Sequence, residues 1–161
     1  MFSQLTILGT FLIAMILSVF RLPDALPLEL AYLRPEWITL VLIYWVIALP
    51  KTVGMKSAWI LGLLTDALLG SLLGQYALVF MFTVYVSSSL YQRLRMMPSW
   101  QQSVFVFAII FLSQSMIFWT GKVTSGVQWT YLYFLPSITS ALLWPWVFIV
   151  LRSVRRKFNI S

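Results

Sequence analysis

Few side chains in this sequence could serve as an acid, a base, a nucleophile or a metal ligand. Its 161 residues include no His, no Cys and four carboxylates. Asp24, Glu29 and Glu36 share one polar stretch, and only Asp66 lies inside an apolar run. Proton relays, metal sites and activated nucleophiles are usually built from the residue types that are missing. The inventory therefore predicts a protein with no catalytic residues, no metal and no cofactor.

Asp66 needs a physical explanation, because a carboxylate at the centre of a membrane helix costs about +2.5 to +3.5 kcal/mol on an insertion scale. Ala58, Gly62, Asp66, Gly70 and Gly74 recur at every fourth position. Such a stripe of small residues lets another helix approach closely.

Three interpretations of Asp66 are open. It accepts hydrogen bonds from a facing helix of this chain or of a partner, it is a proton or cation site, or it caps backbone amides and closes a tight hairpin with Gly70 and Gly74. For the first interpretation, the candidate donors within the chain are hydroxyl and amide side chains: Thr39, Tyr44, Ser87, Ser88, Ser89 and Gln114.

The elements that position these residues are predicted by the composition. The chain is 61% hydrophobic and 9% charged, with a mean hydropathy of +0.92, whereas soluble domains are about 45–50% apolar and about 25% charged. This predicts an all-α integral membrane protein that contacts lipid. No linker divides the chain, so we expect one domain. No basic stripe lies in a soluble segment, so nucleic acid is not an expected partner.

Six apolar runs predict six spanning helices, at about 5–20, 37–50, 57–72, 75–91, 103–120 and 131–151. The second run is short, because its 13 residues from Trp37 to Leu49 make about 20 Å of helix against a hydrocarbon core of about 30 Å. Either this helix continues past a kink at Pro50 or neighbouring helices shield its ends. Five spans are the alternative if the run does not cross.

The distribution of basic residues predicts the orientation of the six helices. With both termini on one side, that side carries eight of the 11 Lys and Arg residues and the other side carries three, Arg21, Arg34 and Lys122. By the positive-inside rule both termini lie in the cytoplasm. The basic tail at 152–157 fits this rule, and it is also compatible with docking of an anionic partner or acidic lipid.

A set of separated motifs resembles one family. Arg34-Pro35-Glu36-Trp37 alone is typical of a helix start. It is followed in order by Tyr44-Trp45, Leu49-Pro50, Val53-Gly54, Gly62-Leu63-Leu64-Thr65-Asp66, Gly70-Ser71 and Leu73-Gly74. Together these motifs, within roughly residues 34–81, closely resemble the MreD family of bacterial rod-shape-determining proteins.

The resemblance implies a subunit of the inner-membrane machinery for cell-wall elongation that has no enzymatic step. The implied partners are MreC, which it would bind directly, and MreB, RodA and the penicillin-binding transpeptidase of RodA in the same complex. The implied fold is a six-helix bundle similar to the substrate-binding subunits of energy-coupling-factor transporters. The matched positions are expected to serve the fold and partner contacts: Arg34, Glu36, Trp37, Gly62, Asp66, Gly70 and Gly74. Replacing Asp66 or Gly62 by Leu is expected to weaken co-purification with MreC or to destabilise the bundle.

Two other classes of function are alternatives. The second candidate is a small-molecule-binding or transporter subunit, in which Tyr44, Thr83, Tyr85 and Gln114 would line a cavity rather than hydrogen-bond between helices. An intramembrane enzyme is the third. It is disfavoured because the chain lacks both a pair of spanning carboxylates and a nucleophile with a base.

Overall fold

A computed structural model describes residues 2–19, 33–125 and 131–158, and over these ranges the chain is helical, without strands. Its elements are α1 (Phe2–Val19), α2 (Trp37–Ala48), α3 (Met55–Leu69), α4 (Gln75–Met96), α5 (Ser99–Ser125), a 3₁₀ turn (Tyr131–Phe134) and α6 (Leu135–Lys157). Over these described ranges the predicted all-α fold, with six helices, is confirmed. Most of the polar stretch at 21–36, including Arg21, Asp24 and Glu29, lies outside the described residues.

The membrane character of the chain rests most clearly on its last two long helices. Among the described residues, Ser99–Val123 and Leu132–Lys157 are long and apolar enough to cross a bilayer. The shorter helical segments Gln4–Val19 and Trp37–Ala48 are apolar as well. That all six helices cross, and in which direction, remains a prediction.

Helix α2 is the centre of the bundle. Each residue from Ile38 to Ala48 is buried, and the helix packs against α1, α4 and α6. The helix ends at Ala48, before Pro50, and does not continue past a kink. Of the two explanations for its short length, the structure therefore favours shielding by neighbouring helices.

The C-terminal end of α2 is capped by a side chain from another helix. Arg95, in the last turn of α4, donates from Nε to the carbonyl oxygen of Ile47 at 2.7 Å and from its guanidinium to that of Ala48. The last carbonyls of a helix have no partner within the helix, so a cation placed there satisfies them and complements the dipole. Arg95 therefore has a structural role beyond its contribution to the topological charge.

Gln102 ties three helices together at the same end of the bundle. Its Nε2 donates to the carbonyl oxygens of Leu94 at 2.7 Å and Met97 at 3.1 Å, where α4 ends. Its Oε1 accepts a hydrogen bond from Nε1 of Trp144 on α6 at 3.1 Å. Because Gln102 itself lies on α5, one buried side chain joins α4, α5 and α6.

The opposite end of the bundle, which we call the Glu36 end, contains most of the motif residues. Helix α1 ends there, α2 begins there, and the turn from α3 to α4 lies there as well. The backbone N–H of Glu36 donates to Oγ of Ser140 on α6 at 2.9 Å. Helix α6 begins at this end, with Pro136 in its first turn, and it runs through Pro145 and the basic residues to Lys157.

Candidate functional site

The carboxylate of Asp66 closes the turn between α3 and α4. Its Oδ1 accepts hydrogen bonds from Oγ of Ser71 at 2.6 Å and from the backbone N–H of Tyr76 at 2.9 Å. Its Oδ2 accepts a hydrogen bond from the backbone N–H of Gly74 at 2.9 Å. The first N–H groups of a helix lack partners within it, so Asp66 caps α4 from the preceding helix. This is the hairpin-closing interpretation, and its donors are not among the six side chains proposed for the facing-helix interpretation.

The two glycines of this turn adopt backbone angles that other residues avoid. Gly70 has φ of +66° and Gly74 has φ of +97°, in the left-handed region where a Cβ is unfavourable. Gly70 ends α3, and its N–H and that of Ser71 both reach the carbonyl oxygen of Asp66. Gly70 and Gly74 therefore belong to the turn, and the stripe of small residues ends at Asp66.

Gly62 marks the closest approach between α3 and α4. A Cβ placed on Gly62 would lie 2.2 Å from Cα and 2.5 Å from N of Ala77, and 2.8 Å from the carbonyl carbon of Tyr76. These are backbone atoms, which cannot rotate away. Ala58, one turn earlier on the same face, is fully buried. The small residues thus let two helices of this chain pack backbone to backbone.

Arg34 and Glu36 form hydrogen bonds at the start of α2. The guanidinium of Arg34 donates to the carbonyl oxygens of Leu17 and Ser18 in the last turn of α1. The carboxylate of Glu36 accepts a hydrogen bond from Oγ1 of Thr39 at 3.3 Å. Burial raises the pKa of Glu36 above its ordinary value near 4.5, while hydrogen bonds from Thr39 and Gln114 and the charge of Arg34 act in the opposite direction.

Two neighbouring cavities open beside Glu36. The larger, of about 300 Å³, extends between α4, α5 and the start of α6 and is lined by Gln75, Gln114 and Tyr133 among others. The smaller, of about 220 Å³, extends toward Arg34 and Ser18. Glu36, Tyr76 and Pro136 line both. We call the larger of the two the Glu36 cavity.

Trp37 faces a different part of the molecule. It lines a groove of about 340 Å³ between α1, α2 and α6, whose walls are almost entirely apolar and include Ile13, Trp146 and Val150. We call this feature the Trp37 groove. The seven motif residues therefore fall in three places: Gly62, Asp66, Gly70 and Gly74 build the α3–α4 hairpin, Arg34 and Glu36 hold the start of α2, and Trp37 lies in the groove.

Tyr76 was missed by the sequence analysis and links two of these places. Its backbone N–H donates to Asp66, and its side chain lines the Glu36 cavity. The only sequence signal was its position directly after the Gly74-Gln75 turn. Of the four residues proposed to line a cavity, Gln114 lines the Glu36 cavity. Thr83 instead hydrogen-bonds Ser113 between helices at 3.0 Å.

Comparison with known proteins identifies the family of this chain. The family model for rod shape-determining protein MreD matches residues 1–154. The rod shape-determining protein MreD of Haemophilus influenzae is 36% identical over 155 residues, covering 96% of this chain and 93% of that protein. No solved structure matches the chain. A family match along nearly the whole length, together with this identity, shows that the chain belongs to the MreD family of rod shape-determining proteins.

Proposed function

We propose that this chain is a non-enzymatic adaptor subunit of the cell-wall elongation complex, which binds MreC and helps to control peptidoglycan synthesis and rod cell shape. The observation that carries the proposal is the MreD family match across residues 1–154. The chain would lie in the inner membrane with both termini in the cytoplasm. MreB, RodA and its penicillin-binding transpeptidase would be partners within the same complex. The bundle would have the arrangement of the substrate-binding subunits of energy-coupling-factor transporters.

The contacts of Asp66 and Gly62 bear on where a partner would bind. Both residues are engaged inside the α3–α4 hairpin. Leucine at either position would therefore disturb the fold of this chain before it disturbed a contact with MreC. We assign these residues to stability and place the MreC contact on another surface.

The Trp37 groove is the surface that we propose for MreC. Ile13, Trp146 and Val150 line it and are more than half exposed. Apolar side chains gain little by leaving lipid, so association between membrane helices depends on close packing. A groove offers more such packing to a single helix than a convex surface does. The occupant would be the membrane helix of MreC.

Site-specific photo-crosslinking in intact membranes tests this assignment. A photoreactive residue would replace Ile13 or Val150 in the groove, and in matched controls Val104 or Leu112 on α5. The controls are comparably exposed, at 63% and 46% against 59% and 56% for the groove positions. We expect adducts with MreC from the groove positions alone. Adducts of equal yield from both sets, or from the α5 set alone, would contradict the groove assignment.

The adaptor role itself is tested by measuring protein level and complex yield together. Groove variants such as Val150→Trp are expected to leave the level of this protein unchanged and to reduce its co-purification with MreC. If every variant still binds MreC and crosslinks form only with lipid, the adaptor role is refuted.

A second candidate function is a small-molecule-binding or transporter subunit. The observation that favours it is the Glu36 cavity of about 300 Å³, which has a carboxylate and two side-chain amides in its wall. Binding of a non-lipid ligand by the isolated subunit would support this candidate.

A further inference from the structure

The Glu36 cavity offers acceptors to a ligand, because the amide donors of Gln75 are already engaged with protein. Nε2 of Gln75 donates to the carbonyl oxygen of Ile117 at 3.1 Å and to Oγ1 of Thr120 at 2.8 Å. These bonds use both hydrogens of this amide. The side-chain carbonyl oxygen of Gln75, an acceptor, therefore remains available to a ligand.

Gln114 also lines the cavity and has an acceptor without a partner. Its amide lies beside Glu36 and lowers the pKa of that carboxyl, as a donor to the carboxylate does. Its Oε1 is buried and has no hydrogen-bond partner among the residues that the structure describes. The residue as a whole is 8% exposed. A buried acceptor without a donor is destabilising, so Gln114 is suited to a ligand that brings a donor.

The remaining walls of the cavity are aromatic and apolar. Phe118 and Tyr133 both line it, with ring centroids 5.8 Å apart, and Tyr76 lines it as well. A cation over such ring faces is attracted by their quadrupoles. Within the described ranges no three His, Cys, Asp or Glu side chains come together. The cavity therefore lacks the set of carboxylate ligands typical of a divalent metal site.

We propose that the Glu36 cavity binds a primary ammonium group, with Glu36 as its counter-ion and the side-chain oxygens of Gln75 and Gln114 as acceptors. An ammonium group has three N–H donors and no acceptor, which complements a wall of acceptors and ring faces. The volume of about 300 Å³ lies at the lower end of ligand cavities. The amine is therefore small, either a free molecule or the headgroup of an aminophospholipid. This site is separate from the Trp37 groove and goes beyond the adaptor role.

Ethanolamine is the probe for this proposal, since it carries the same ammonium group as the headgroup of phosphatidylethanolamine. Binding of labelled ethanolamine to the full chain would be measured in nanodiscs of phosphatidylcholine and phosphatidylglycerol. In parallel, thermal unfolding would be compared between these nanodiscs and nanodiscs in which phosphatidylethanolamine replaces phosphatidylcholine. Saturable binding in the first arm identifies a free amine as ligand. Stabilisation confined to the second arm identifies the lipid headgroup.

Three variants test the assigned residues. Glu36→Gln removes the counter-ion, and we expect amine affinity to fall at least about tenfold, or the stabilisation by phosphatidylethanolamine to vanish, as for loss of a charged hydrogen bond. Gln114→Leu removes the unpartnered acceptor and keeps Glu36, and we expect amine affinity to fall about threefold to tenfold. This variant serves as the test if Glu36→Gln lowers the yield of folded protein. Leu112→Val, at an exposed position of α5 outside the cavity, is the control and is expected to retain binding.

Two results would overturn the proposal. One is the absence of an amine effect in both arms with wild-type protein. The other is an effect of equal size in wild type, Glu36→Gln and Gln114→Leu. Choline, which has no N–H donor, is expected to bind at least about tenfold more weakly than ethanolamine. Equal binding of the two would also refute recognition of an ammonium by acceptors.

Discussion

Replacing Gly62 by Ala should destabilise the bundle by forcing α3 away from α4. The added Cβ would lie 2.2 Å from Cα of Ala77, where ordinary contact requires at least 3.4 Å. The helices must separate by the difference, since both Cα and N of Ala77 belong to the backbone. Tyr76, the neighbour of Ala77, donates to Asp66, so the displacement also strains the cap of α4.

The magnitude follows from two opposing contributions. Inserting a methyl group into a close-packed contact costs about 1–3 kcal/mol, and the upper part of that range applies when backbone atoms must move. Alanine is favoured over glycine in a helix interior by about 0.8–1 kcal/mol. We therefore expect a net loss of about 1–2 kcal/mol in the free energy of unfolding.

Gly9→Ala is the matched control for this experiment. Gly9 lies within α1, and a Cβ placed there meets no heavy atom within 4 Å. The same chemical change thus tests the propensity contribution without the clash. Unfolding of both variants by titration with a denaturing detergent, followed by tryptophan fluorescence, gives their difference directly. Gly62→Ala being as stable as Gly9→Ala would refute the close approach of α3 and α4.

Three further predictions concern the polar groups that hold the bundle. Asp66→Asn keeps one acceptor but turns an amide donor toward backbone N–H groups. We therefore expect the free energy of unfolding to fall by about 1–3 kcal/mol in the same assay. A change below about 0.5 kcal/mol would contradict the capping role of Asp66. Arg95→Met removes the donors to the last carbonyls of α2 and should lose about 1.5–3 kcal/mol. Arg93 is exposed like Arg95 but does not cap α2, so Arg93→Met should stay within about 0.5 kcal/mol of wild type. Because the folded state raises the pKa of Glu36, its contribution to stability is full below the ordinary pKa and is lost as pH rises through the folded-state pKa. Glu36→Gln should flatten that decline when unfolding is measured from about pH 4 to about pH 8, and an unchanged slope would show that another group causes it.

The number of helices could be predicted because the apolar runs are separated by charges, prolines and glycines. The position of α2 at the centre of the bundle was harder to predict. This helix is apolar on every side, so it has no polar face to indicate which side meets lipid. Its short length allowed two explanations, and only the burial of Ile38 to Ala48 on all sides favours one of them.

The role of Asp66 could be reduced to three interpretations but not to one. A spacing of four residues suits both a stripe of small residues along a helix and a hairpin in which Gly70 and Gly74 turn the chain. The two differ in backbone angles, and φ of +66° and +97° at these glycines cannot be read from spacing. The partners of Arg95 and Glu36 could not be predicted from the sequence for another reason. They lie 48 and 104 residues away along the chain, and no local sequence pattern connects residues so far apart.

The cap on α2 has a consequence for the order of assembly in the membrane. The last carbonyls of α2, at Ile47 and Ala48, are satisfied by the guanidinium of Arg95, and unsatisfied carbonyls are costly in lipid. Arg95 lies 47 residues after Ala48, so its guanidinium becomes available only after α3 and α4 have been synthesised. The C-terminal end of α2 is therefore completed only when the fourth helix packs against it.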